Sequence, residues 1–129
     1  MNDINKDMIN SAMNDLKKHI GLLPWELRER SERYYLSIMH LVFTMLGYNC
    51  RLDVHISNGR IDMIIETKSA VYCFEIKVGK SVDEALAYID KRDYLLPWKY
   101  SGKKLFKVGV AFDPAKRNVG EWKTEEAYY

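Results

Sequence analysis

Two neighbouring runs constrain this chain more than anything else in it: residues 60–66, RIDMIIE, and residues 71–78, VYCFEIKV. Both have strand length and strand composition, and the polar TKSA at 67–70 separates them. A four-residue turn there pairs residue 66 with 71, so the numbers of every cross-strand pair add to 137. Asp62 then lies directly opposite Glu75, and side-chain alternation puts Lys77 on the same face as Glu75. Opposed like charges destabilise a sheet unless something neutralises them. Ile64, Ile65, Phe74, Ile76 and Val78 predict central strands covered on both faces, where unpaired charge is costly. A divalent cation with hard oxygen ligands answers the repulsion. Mg²⁺, with Mn²⁺ as a substitute, commonly uses one or two carboxylates plus a substrate phosphate. Lys77 beside the pair can orient or help deprotonate a water, or stabilise charge on a phosphoryl oxygen. Two alternatives stand: Lys77 bridges the acids on a solvated sheet face, a contact worth little, or another turn register separates them.

The rest of the chain frames these strands. Met8, Ile9, Ala12, Met13, Leu16 and Ile20 recur at helical spacing, predicting an amphipathic helix over 4–20 that Gly21 ends. A Pro24-bearing connector follows, then a second helix with Ser31 as N-cap, running to about Leu46. Its apolar residues lie on nearly every side, which predicts a buried helix. Residues 50–56 alternate as a strand, and SNG at 57–59 is a turn. Ser81 opens a third helix with Val82, Ala85, Leu86 and Ile89 on one stripe, KLFKVGVAF forms a fourth strand, and RNVGEWK adds a short edge strand. The expected class is α/β, a mixed central β-sheet flanked by helices.

Composition narrows the partners. At 129 residues with 47% hydrophobic content the chain fits one ordered domain. No apolar run reaches bilayer-spanning length, and MNDINKDMIN carries no apolar signal segment. Cys50 and Cys73 read as reduced core thiols, a disulfide being the alternative, so a cytoplasmic protein without a membrane partner is expected. The net charge is only +2, yet residues 91–123 hold nine basic residues against three acids. That stretch reads either as a phosphate-facing surface, with Lys103 and Lys104 as substrate contacts, or as a solvated lysine-rich face.

Asp62 within GRID and EIK at 75–77, preceded by the helix acid Glu32, resemble the PD-(D/E)xK nuclease superfamily. ERYYLSIMHLVFTMLGY, NGRIDMII, YCFEIKVGKSVDEALAYI and KLFKVGVAFD are similar to one branch of it, the C-terminal domain of bacterial AAA-ATPase-like proteins. The resemblance covers roughly residues 30–123 and implies a restriction-endonuclease-like core over 25–129, with residues 1–24 an N-terminal helix and connector. It implies that Asp62, Glu75 and Glu32 hold Mg²⁺, that Lys77 acts near the attacking water, and that the reaction is phosphodiester hydrolysis in nucleic acid, with DNA favoured. An ATPase-like partner or domain and a homodimer are further implications. Where the branch often has glutamine in the helix after EIK, this chain has Tyr88, which can hydrogen-bond, pack in the core or stack on a base. The rival expectation is a nuclease fold kept for binding or docking. No GxxxxGK[ST] loop is present, so the chain is not itself an ATPase.

The remaining candidates read as structural. His19, His40 and His55 have no ligand spacing, with His40 a satisfied core or site-edge residue and His55 placed to face the cleft. Tyr94, Trp98 and Tyr100 near Pro97 are read as packing in preference to base stacking.

Overall fold

In the computed structural model, which describes residues 5–129, Asn5 caps helix α1 (Lys6–Leu22) by accepting from the Met8 amide. Residue 4, the predicted helix start, lies outside the described residues. The helix runs on through Gly21, and its close is a Leu23 amide bonded to the Ile20 carbonyl with Pro24 next in line. A single 3₁₀ turn at Trp25–Leu27 leads to Ser31, which caps α2 (Glu32–Met45) by accepting from the Tyr34 amide.

Burial all round is corrected for α2. Tyr35, Leu36, Met39 and Phe43 are buried, while Leu41, Met45 and Leu46 are 56%, 77% and 55% exposed. The helix lies on the outside of the sheet, where α1 covers only one of its flanks.

Strand β1 (Cys50–Ile56) turns through Ser57 and Asn58 into β2 (Gly59–Glu66), which pairs antiparallel with β3 (Ala70–Val78). Helix α3 (Val82–Lys91), capped by Ser81, crosses back so that β4 (Lys104–Asp113) runs parallel to β3. Strand β5 (Asn118–Ala127) closes the sheet antiparallel to β4, giving the order β1-β2-β3-β4-β5. The expected edge strand is thus present and longer than predicted, because its pairing continues to Leu105–Ala127. The α/β class and mixed sheet agree with the sequence reading.

Helices α1 and α2 bury Ile9, Met13, Met39 and Phe43 against Met63, Ile65, Phe74 and Val110 on one sheet face. Helix α1 thus shares one core with α2 and the sheet. The other face packs Ile64, Val71, Cys73 and Leu105 against Ile89 and Tyr94. Cys50 and Cys73 are both free thiols. Among the described residues no helix is long and apolar enough to cross a membrane.

Gly109 sets how closely α3 approaches. A Cβ there would lie 2.9 Å from the Val82 carbonyl oxygen and 3.0 Å from Leu86 Cγ. Gly109→Ala should therefore cost about 1–3 kcal/mol in urea denaturation by pushing α3 off the sheet.

Candidate active site

The β2–β3 ladder holds the expected register, with Met63 opposite Phe74, Ile64 opposite Cys73, Ile65 opposite Tyr72 and Glu66 opposite Val71. Its regular pairing stops at Met63–Phe74. One step further, where Asp62 comes opposite Glu75, the Ile76 amide donates instead to Asp62 Oδ2 at 2.9 Å. Face alternation breaks at the same place: Ile61 and Ile64 pack on the α3 side, Met63 and Ile65 on the α1–α2 side. The strands part here, and the gap is where the charged residues meet.

Asp62 and Glu75 are 6% and 5% exposed. Lys77 Nζ lies 3.5 Å from Glu75 Oε1, whereas buried Glu75 Oε2 has no hydrogen-bond partner among the described residues. Burial, reinforced by Asp62 and opposed by Lys77, pushes the Glu75 carboxyl up to about 8. Asp62 is also raised, by burial, against the Ile76 hydrogen bond, Arg60 and Lys77. Glu32, half-buried in the first turn of α2, is raised by burial and then by Asp62. Helix α2 thus brings Glu32 into the field of the strand acids.

Lys77 Nζ is also 3.8 Å from the centroid of the Tyr88 ring, a cation–π contact. Arg92 approaches the same ring at 5.4 Å, and Tyr94 meets it edge-on at 5.9 Å. Tyr88 is therefore at the site and offers Lys77 its ring face.

Asp53 was not anticipated. The β1–β2 pairs on either side, Leu52–Met63 and Val54–Ile61, put it opposite Asp62. Its φ of 52° is a left-handed conformation that Asp tolerates. Arg33 grips it bidentately at 2.7 and 2.8 Å, and Arg60 approaches within 3.6 Å. The hydrogen-bonded Arg33 holds its carboxyl below the ordinary value.

Lys103 and Lys104 are not brought to this site. Lys104 begins β4 and Lys103 precedes it, five to eight residues along the chain from the partners of Glu75 and Lys77, or about 17–26 Å. Lys103 Nζ is held by Glu66 at 2.7 Å and the Thr67 carbonyl at 2.8 Å. His40 Nε2 lies 3.1 Å from the Cys50 carbonyl oxygen, while His55 is exposed on β1. Tyr94 and Trp98 pack against the α3-side core, and Tyr100 is 91% exposed.

The site fits a hard divalent cation. Two buried carboxylates face each other, one has an unpartnered oxygen, and burial holds both towards neutrality. Among the described residues no three acid, histidine or cysteine side chains are grouped as a complete ligand set. Mg²⁺ needs no such cage, since water and substrate phosphate fill its remaining positions.

Residues 30–122 match the sequence profile of the PD-(D/E)XK nuclease superfamily. An uncharacterized protein from the vnfD 5′ region of Azotobacter chroococcum mcd 1 is 34% identical over 92 residues, 70% of this chain and 18% of that protein. The chain thus spans less than a fifth of that relative's length. No solved structure matches the chain.

Proposed function

The chain belongs to the PD-(D/E)XK nuclease superfamily, and from that premise we propose that it is a metal-dependent nuclease hydrolysing phosphodiester bonds, with DNA the first substrate to try. The observation that carries this reading is the buried Asp62–Glu75 pair beside Lys77, where the ladder parts. Such a pair costs stability without a cation, and a superfamily that works on phosphodiesters gives it a use.

Asp62 and Glu75 would hold the cation, with Glu32 completing the set from α2. When bound, it supplies charge neutralisation and Lewis-acid stabilisation of the phosphoryl oxygens. Lys77, steadied by Glu75 and the Tyr88 ring, is the fixed positive charge beside the reacting phosphate, able to orient water or stabilise developing oxygen charge. Water adds to phosphorus, one bridging P–O bond breaks, and the water proton ends on the leaving oxygen.

A second reading, nucleic-acid binding or docking without cutting, is favoured by Tyr88 standing where glutamine is expected. An ATPase-bearing partner or domain, and pairing of two copies, remain proposals alongside it. The deciding experiment is incubation with labelled single-stranded, duplex and branched DNA and with RNA, in Mg²⁺ or Mn²⁺ and in EDTA. Cutting of at least one substrate only with metal supports the nuclease; binding without cutting supports the second reading.

A further inference from the structure

Lysines are numerous on this surface, and most near the sheet are already engaged. Lys103 is held by Glu66, Lys107 by Asp90 and Glu125, and Lys123 by Glu125 and Asp83. Lys80 and Lys91 form no ion pair among the described residues, and both are exposed. They line one trough of about 310 Å³ with Lys77, Glu84, Ala87 and Tyr88. Positions 84, 87, 88 and 91 recur at helical spacing, opposite the buried stripe of Val82, Ala85, Leu86 and Ile89, and Lys80 lies two residues before the helix start. The trough therefore runs along the outer side of α3 and opens on Lys77.

Its charge is lopsided, three lysines against Glu84, and Arg92 adds a further cation 5.4 Å from the Tyr88 ring centroid. A larger trough of about 510 Å³ beside β5 sets Lys17 and Lys123 against Asp83 and Glu121, so it presents no excess of either sign. Lysines without an ion pair thus flank α3, Lys80 just before its start and Lys91 in its last turn. Lys80 and Lys91 bracket a ten-residue helix about 15 Å long, the rise of roughly four nucleotides on one duplex strand.

We propose that this α3 trough is the binding track for the nucleic-acid strand leaving the site, with Lys80 and Lys91 taking its backbone phosphates. The track deepens the nuclease reading by naming where the substrate lies, and it serves equally in a protein that binds without cutting. Its contacts are to phosphate alone, so it binds without regard to base sequence.

The test measures binding of a fluorescein-labelled 20-nucleotide DNA, single-stranded and duplex, across a NaCl series in EDTA, where no metal-dependent turnover occurs. Lys80→Glu with Lys91→Glu should weaken binding at least tenfold and flatten the slope of log affinity against log salt by about 1.5–2. The charge-matched control, Lys6→Glu with Lys18→Glu on α1, should change affinity less than twofold. Lys80→Gln with Lys91→Gln repeats the test without adding acid at the α3 C-terminus, and circular dichroism melting confirms that each variant folds. Equal losses in the α3 and α1 variants, or no wild-type binding at all, would overturn the track. Binding lost only in the α3 variants, in a protein that never cuts, upholds the track and defeats the nuclease. Cutting by wild type with α3 variants that bind normally does the reverse.

Discussion

Lys77→Ala should lower the rate of metal-dependent cleavage at saturating metal by about a hundred- to a thousandfold, with the fold retained. The Lys77 side chain is 22% exposed, so its charge acts in a partly dehydrated gap. It is fixed from two sides, by Glu75 Oε1 at 3.5 Å and by the Tyr88 ring at 3.8 Å. A fixed cation needs no reorganisation as charge builds on the phosphoryl oxygens, and none of the remaining side chains at the Glu75 contact replaces it. Removing it also takes away the largest force lowering the Glu75 carboxyl, which moves further above its ordinary range. Metal saturation must therefore be re-established for the variant, so that the loss is read in kcat. A Lys77→Ala rate within a few-fold of wild type would remove Lys77 from the chemistry.

Glu75→Gln should raise the metal-free melting temperature at pH 8.5 and abolish activity together. Glu75 shifts from an ordinary 4.5 to about 8 in the fold. Because the folded value is raised, the native state holds the proton more tightly than the unfolded chain does. The linked stability is present below about 4.5 and is lost as pH rises through about 8. Above pH 8 the metal-free wild type carries a buried anion facing Asp62; glutamine keeps the shape without the charge. The expected gain is about 2 kcal/mol, or roughly 6–10 °C for a domain this size, shrinking towards zero near pH 5. Mg²⁺ should narrow that gap. At ten times its dissociation constant it adds about 1.4 kcal/mol to the wild type and less to the variant. A variant that melts below wild type at pH 8.5 without metal would show that the acid pair is not under the repulsion described.

Much of this was legible because strand register is simple arithmetic. TKSA fixed the β2–β3 pairing, and with it the meeting of Asp62, Glu75 and Lys77. The same arithmetic on the Ser57–Asn58 turn pairs Ile56 with Gly59 and leads on to Asp53 opposite Asp62, so that signal was available and unused. Glu32 is different. Nothing in the helix pattern of α2 marks it, and only the family resemblance singled it out. Lys103 and Lys104 show the limit of counting charge along a chain. The acids that neutralise the basic stretch, Glu66, Asp90 and Glu125, lie outside it in sequence and meet it only in the folded sheet. The α3 trough was hidden for the same reason, since which lysines stay unpaired depends on every neighbouring element. The exposed side of α2 was unreadable because helix composition does not say how many neighbours will cover it.

The most direct test of the central claim, that the opposed acids are held there for a cation, needs no substrate. Calorimetric titration of Mn²⁺ into the wild type, Asp62→Asn and Glu75→Gln at pH 8 should show millimolar or tighter binding that weakens at least tenfold in each variant. Wild-type protein that takes up no Mn²⁺ at millimolar concentration, or variants that bind it equally well, would contradict the claim.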